Sequence, residues 1–237
     1  MNKSRFDEIA AVYDAQIPEH IRLHLLQRKM EMMLAWLDGF NRTEVVGLDL
    51  GCGTGWHVKR FHEQGFRRVF GLDNSPAQLS QARRNAGVEE SYLCLSDIRH
   101  LPYADASVDF AYAINVIHHL KSRREQEDTF SEIRRVVKPG GLFFLHEINT
   151  TNPLMAFYMD HIFPRLRRID DGLENWLLPA MLPYLPGFKL LDIEYFTFMP
   201  DFTPRLIFPL ARWLESCLEA TSLRQWGAHY MAALRRI

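Results

Sequence analysis

The run Val45-Val-Gly-Leu-Asp-Leu-Gly-Cys-Gly-Thr-Gly55 constrains the fold of this chain more than any other stretch. Apolar residues of the kind that make a buried parallel strand end at Asp49 and Leu50 and open directly into Gly51, Gly53 and Gly55. Trp56 to Gln64 then reads as a helix. Glycines at a strand-to-helix turn permit positive φ and leave no Cβ between the backbone and a bound nucleotide. Their spacing is G-x-G-x-G and misses the G-x-G-x-x-G dinucleotide fingerprint by one residue, which argues against a nicotinamide-dependent oxidoreductase. A second strand, Arg68 to Leu72, ends in Asp73, placed to accept hydrogen bonds from both hydroxyls of a ribose.

The pattern continues as alternating short apolar strands and amphipathic helices, which predicts a parallel sheet covered on both faces. Strands are expected near 45–50, 68–73, 91–95, 108–114 and 141–147, with helices near 55–64, 76–86 and 122–137. Pro76 suits the first turn of its helix with Asn74 or Ser75 as cap, and Pro139-Gly-Gly141 is read as the stop after the third helix. Upstream, Phe6, Ile9, Tyr13, Leu23, Leu26, Met30, Met33 and Leu37 recur at helical spacing. Downstream of Asn149 the character changes: between Pro153 and Leu214 sit 12 of the 29 aromatics and 8 of the 12 prolines. Two helical pieces near 153–168 and 203–220, a strand at Phe188–Phe198 and a last strand at Trp226–Leu234 are expected there.

These blocks, in this order, resemble the class I S-adenosylmethionine-dependent methyltransferases, in particular the bacterial-type group that includes quinone and other small-molecule methylases. The resemblance rests on Asp49-Leu-Gly-Cys-Gly-Thr-Gly55, Gly71-Leu-Asp-Asn-Ser-Pro76, Ser96-Asp-Ile98, the segment Ser107 to Leu120, and Glu132 to Leu142, with a weaker match from Phe6 to Asp14. It covers roughly residues 43–150 and fades beyond. It implies an α/β, Rossmann-like, seven-stranded, mostly parallel sheet with an antiparallel last strand, helices on both faces and a helical lid inserted before the last two strands. The chain would then be one domain, 1–237, with an N-terminal helical cap (1–42), a cofactor-binding core (43–150), and a substrate lid with final hairpin (151–237). For S-adenosyl-L-methionine the resemblance implies that the loop of Gly51, Cys52, Gly53 and Gly55 runs under the methionyl and ribose parts. Asp73, followed by Asn74, would hold the ribose, and Asp97 with the Ile98 amide the adenine; Asp97 also reads as an ordinary loop acid. Asn115 would face the methionine end. Asp49 either approaches the cofactor ammonium or caps the turn, and Tyr13 either touches the cofactor or is core.

Methyl transfer from a sulfonium asks little covalent help, because alignment of nucleophile, methyl and sulfur can supply on the order of 7–11 kcal/mol at the limit. The cofactor site should therefore be more legible than the catalytic group. His118 and His119 follow the fourth strand at the ligand-binding end of the sheet, where an imidazole could take a proton from a hydroxyl or amine, or simply pack. His146 and Glu147 end the fifth strand, and alternation sends them to opposite faces, so at most one should meet a substrate. His20 and His24, four apart beside Glu19, have metal-like spacing without a third ligand; a solvated helix face is favoured and no metal is expected. Lys121 to Arg124 reads as a solvated, mixed-charge helix face, and Arg165-Leu-Arg-Arg168 as a surface cluster or a site for an acidic substrate or anionic membrane. With 28 basic against 29 acidic side chains, a net charge of −1 and no Asn/Asp-Pro-Pro-aromatic or Pro-Cys motif, nucleic-acid methylation is a minor alternative. A catalytically silent S-adenosylmethionine-binding module is the other. The acceptor is expected to be small and apolar, amphipathic or acidic, with O-methylation the first reading. Cys52, Cys94 and Cys217 without metal spacing, no apolar signal core and no eighteen-residue apolar run predict a cytoplasmic protein, with at most peripheral membrane contact.

Overall fold

The computed structural model describes residues 5–167, 169, 170 and 174–237. The seven strands are β1 (Val46–Leu50), β2 (Arg68–Asp73), β3 (Leu93–Leu95), β4 (Val108–Ile114), β5 (Val137–Ile148), β6 (Phe188–Phe196) and β7 (His229–Arg236). They form one sheet in the order β3-β2-β1-β4-β5-β7-β6. The first five run parallel, and β7 pairs antiparallel with both β5 and β6, so β7 is the one reversed strand. The strand order reverses direction between β1 and β4, and the crevice beyond the carboxyl ends of these two strands is where such sheets take ligands.

Helices α1 (Arg5–Ile9), α2 (Glu19–Trp36), α3 (Trp56–Glu63), α4 (Pro76–Gln81), α5 (Arg123–Val136), α6 (Pro153–Phe157), α7 (Phe163–Leu166) and α8 (Phe208–Glu219) cover the sheet and its ligand-binding edge. Strand alternation divides the core between two faces. Leu48, Leu50, Ala111, Ala113, Phe143 and Leu145 pack with Phe130 and Ile133 of α5 on one side. Phe110, Tyr112, Leu142 and Phe144 pack with Met30 and Met33 of α2 and Phe61 of α3 on the other. Leu23, at the same spacing in sequence, points outward.

Local chemistry explains the helix ends that frame the site. Ser75 rather than Asn74 caps α4, its Oγ accepting from Gln78 N at 3.1 Å with Pro76 in the first turn. Ser122 caps α5 by accepting from Glu125 N. Pro139-Gly-Gly141 is no linker: β5 begins directly after α5, and the register jumps from Val108↔Val137 to Phe110↔Leu142, so these residues bulge from the strand. The first lid piece is α6, a π-helical turn at Tyr158–Ile162 and α7 in place of one regular helix. Residues 197–228, including α8, separate β6 from β7, so the insertion expected before the last two strands is instead split to both sides of β6. Trp226 ends a 3₁₀ turn, and the last strand starts at His229. Arg168 lies outside the described residues.

Candidate functional site

The glycine loop after β1 is pinned to the end of β2. The Gly51 and Cys52 amides both donate to the Leu72 carbonyl at 2.8 Å. Beyond it, the Asp73 carboxylate accepts from Gly53 N at 2.9 Å and from Ser75 N at 2.8 Å. Burial pushes the Asp73 carboxyl above the usual carboxylate range while these amides pull the other way. Two glycines have separate reasons. Gly53 sits at φ +51° and a Cβ there would point into open space, whereas a Cβ on Gly55 would stand 2.8 Å from the Ala82 Cβ. The first leaves room for a ligand; the second lets α4 approach.

A cavity of about 250 Å³ opens over this loop, with Tyr13, Asp73, Asn74, Asp97, Ile98 and Asn115 in its wall. Gly51 and Gly53 form part of its floor, but Gly55 does not reach it. Both Asp97 oxygens are held by Arg99, with Nη2 at 2.5 Å from Oδ2 and Nε at 2.9 Å from Oδ1, and Arg99 Nη1 continues to Glu125 at 2.7 Å. That hydrogen-bonded pair holds the Asp97 carboxyl below its ordinary range. Asn115 adopts a left-handed backbone, φ +56°, and its buried Oδ1 has no partner. A strained residue with an orphaned acceptor at a strand end is a feature of ligand sites.

A second, larger chamber of about 560 Å³ adjoins the first. Tyr13, Gly51, Gly53, Ile114, Asn115 and His119 line both, so the two meet there. Asp49 and Cys52 face this chamber rather than the smaller cavity. Asp49 is buried with Oδ2 unpartnered, and burial raises its pKa well above normal. Of the third-region aromatics, Tyr158, Phe198 and Phe202 line the chamber, while Phe157, Tyr184 and Trp213 are exposed and belong to no core.

The histidines separate clearly. His118 is buried, its Nδ1 donates to Glu147 Oε2, and its Nε2 lies 3.9 Å from Asp170 Oδ1. Burial disfavours the imidazolium, but Glu147 and Asp170 overcome it and raise the pKa to about 10. His119 places Nε2 3.6 Å from Asp170 Oδ1 and is held well below its usual pKa by burial, by His118 and by Arg5. The donor atoms of His118, His119 and Asp170 lie within 4.8 Å of one another, close enough to ligate an ion, a convergence that sequence spacing does not reveal. His146, a candidate by position, lines neither cavity; it is sealed beneath the chamber with both ring nitrogens unpartnered. Its strand neighbour Glu147 faces the other way and supports His118 but lines neither cavity, so alternation holds and Glu147 reaches the site only through His118. His20 and His24 tie α2 to the lid, His20 Nε2 meeting the Thr203 carbonyl at 2.9 Å and His24 Nε2 donating to Glu215 at 2.8 Å.

The N-terminal segment closes the roof. Ser75 Oγ donates to Asp7 at 2.5 Å, Thr54 Oγ1 and Trp56 Nε1 donate to Asp14 at 2.8 and 2.9 Å, and Arg5 donates to the Asp170 carbonyl. Asp7 and Asp14 fall in the weakly matching Phe6–Asp14 block, but their roles, like those of Arg99 and Asp170, come from partners distant in sequence.

Comparison with known proteins agrees with this geometry. A methyltransferase-domain family model matches residues 48–145. The chain is 29% identical over 177 residues to 24-methylenesterol C-methyltransferase 2 of Oryza sativa subsp. japonica, covering 62% of this chain and 48% of that one. It is 33% identical over 213 residues to the malonyl-(acyl-carrier protein) O-methyltransferase of Methylovorus sp., covering 83% of this chain and 66% of that one. The chain thus spans from about a third to about half the length of the first curated relatives it matches. The structure of magnesium protoporphyrin IX methyltransferase from Synechocystis with bound SAH superposes with a TM-score of 0.60 at 17% identity, covering 89% of this chain and 83% of that one. The chain belongs to the class I S-adenosylmethionine-dependent methyltransferases.

Proposed function

We propose that this protein methylates a small amphipathic acceptor, with O-methylation the reading its residues support best. The observation that carries the proposal is the pair of cavities meeting at Gly51, Asn115 and His119, one built for a nucleoside and the other largely apolar. The residues present fit S-adenosylmethionine: Asp73 at the ribose, the open space over Gly53, Asn74, Ile98 and Asp97 on the adenine side, and the orphaned Asn115 Oδ1 at the methionine end. When bound, that cofactor supplies an electrophilic methyl group on a sulfonium. Asp49, whose Oδ2 is unpartnered beside the glycine loop, answers the ammonium end.

The chain's own work is positioning, proton acceptance and exclusion of water. His119 is kept neutral and lies at the junction, so it would take the proton of an acceptor hydroxyl held there. Asp170, 3.6 Å from His119 Nε2, stabilises the imidazolium so formed. His118, anchored by Glu147, is a positioning residue whose Nε2 faces the same Asp170 oxygen at 3.9 Å. The same trio could instead seat a divalent ion, which a chelator would strip. Cytoplasmic residence belongs to the same reading, and among the described residues no helix is long and apolar enough to cross a membrane.

Isothermal titration with SAM and SAH, followed by SAH-release assays over phenols, fatty alcohols and carboxylic acids, tests this. Expected are binding of both nucleosides and turnover of an amphipathic hydroxyl, reduced about 10²–10⁴-fold in His119→Ala. Failure of either nucleoside to bind the folded protein rejects the reading. Tight binding without turnover across the series favours the silent module.

A further inference from the structure

The acceptor chamber is apolar in most of its lining yet carries cations without partners. Arg22 and Lys29 stand seven residues apart on α2, hence on one face, with Leu25 and Leu26 between them, and all four line the chamber. Lys29 is buried, and no acceptor among the described residues reaches its ammonium at hydrogen-bond distance. Arg22 stacks over Trp56 at 5.0 Å and leaves Nε and Nη1 buried without partners. Beside them His57 Nε2 and His229 Nδ1 are also buried and unsatisfied, as is Thr197 Oγ1, on a residue held at φ +67°. A β-branched residue in that region is a genuine outlier. Four carboxylates line the chamber and none hydrogen-bonds these groups: Asp14 accepts from Thr54 and Trp56, Asp201 from Tyr158 and Arg167, and Asp49 and Asp170, each with one oxygen unpartnered, stand at the glycine loop and beside His119. Unpaired buried charge is costly, and a protein retains it where a ligand completes the pair.

We infer that the Arg22–Lys29 wall binds an anionic headgroup, carboxylate or phosphate, of an acceptor whose apolar remainder fills the chamber. None of Arg22, Lys29, His57 and His229 lines the nucleoside cavity, so the anion is an anchor away from the junction rather than the methylated atom. This rests on the chamber being the acceptor site proposed above. The test is titration of the SAH-saturated protein with dodecanoate, dodecyl phosphate and dodecanol. At least a tenfold preference for an anion over dodecanol is expected, abolished in Lys29→Met and reduced in Arg22→Met, with melting curves confirming the fold. A stronger dodecanoate signal identifies a fatty-acid-type headgroup, and a stronger dodecyl phosphate signal a phospholipid-type one. Equal binding of dodecanol by the wild type, or an unchanged preference in Lys29→Met, overturns the inference. SAH binding is read first, so failure of the cofactor reading is seen separately.

A different observation carries a second proposal. Helix α8 is turned inside out: Leu210, Trp213 and Leu214 are 58, 60 and 48% exposed, and Leu206 just before it is 91% exposed. Its acids face inward, Glu215 to His24 and Glu219 to Arg28, each at 2.8 Å. The outward charges on and before the helix are Arg212 and Arg205. Leu154 and Phe202 are exposed as well and line the chamber, so apolar side chains also stand at its solvent edge. An apolar helix face flanked by arginines, with its acids withdrawn, suits the interface of an anionic bilayer. We propose that α8 docks the protein on an anionic lipid surface, with the mouth of the chamber against the lipid. Sedimentation with phosphatidylglycerol-containing vesicles should carry the chain down, and Leu210→Ser with Trp213→Ser should leave it in the supernatant. Retention of the wild type in the supernatant overturns the proposal, as does a solution dimer that the double variant disperses, since a second copy would then own this face.

Discussion

Replacing Asp73 by alanine probes the contact on which cofactor recognition turns. Its carboxylate is buried and already fixed by Gly53 N and Ser75 N at 2.9 and 2.8 Å, so on the proposed reading it is preorganised to meet two ribose hydroxyls. Hydrogen bonds to a charged group contribute about 1.5–3 kcal/mol each, so losing two removes roughly 3–6 kcal/mol. That corresponds to about 10²–10⁴-fold weaker SAH binding. The substitution also strands two loop amides, at about 1–3 kcal/mol apiece where they stay dry, so melting must be followed in parallel. Asp73→Asn separates the effects: its carbonyl still accepts one bond and its shape is retained, so binding should weaken by roughly tenfold or more while the fold is largely preserved. Calorimetric titration of SAH into both variants reads the result. Affinity within threefold of wild type in a folded Asp73→Ala protein would refute the assignment.

Gly53→Ala should fold with a strain cost of about 1 kcal/mol yet bind SAH at least tenfold more weakly, because its methyl enters the cavity. Gly55→Ala should instead lower the melting temperature, by about 1–3 kcal/mol of overpacking against Ala82. Lys29, pulled down to about 7 by burial, is protonated in both folded and unfolded chains below that pH and bears its full desolvation cost there. Lys29→Met should therefore stabilise the apo protein most near pH 6, with the gain shrinking as pH climbs through 7 toward the free lysine value of about 10.4. A pH-independent difference in thermal melts would contradict this. His118, raised to about 10, contributes stability that is complete below its free value of about 6.5 and lost as pH rises through 10. Glu147→Gln should accordingly be most destabilising near pH 6 and approach wild type above pH 10, read by the same melts. Prolonged chelation should leave turnover unchanged if His119 acts as base, whereas loss restored by added divalent ion would reassign His118, His119 and Asp170 as ligands.

Periodicity and turn chemistry determined the cofactor half of this protein. A strand, a glycine turn, a helix and a second strand ending in Asp73 are contiguous, and local backbone geometry places their ligand-facing groups with little help from elsewhere. The same locality made Ser75 and Pro76 legible as a helix start. Alternation on β5 correctly divided His146 from Glu147, but which face met the site depended on what packed there. Tertiary structure alone decided that Glu147 supports His118, that Asp170 arrives from the segment after α7 to join His119, and that Arg99 reaches Glu125. It also turned α8 so that its acids lie inside and its leucines outside, although the moment of an amphipathic helix states only that it has two faces. The larger chamber is of this second kind throughout. Its walls come from α2, the β4 end, both lid segments and the start of β7, and contacts between residues so distant in sequence exist only once the core has packed.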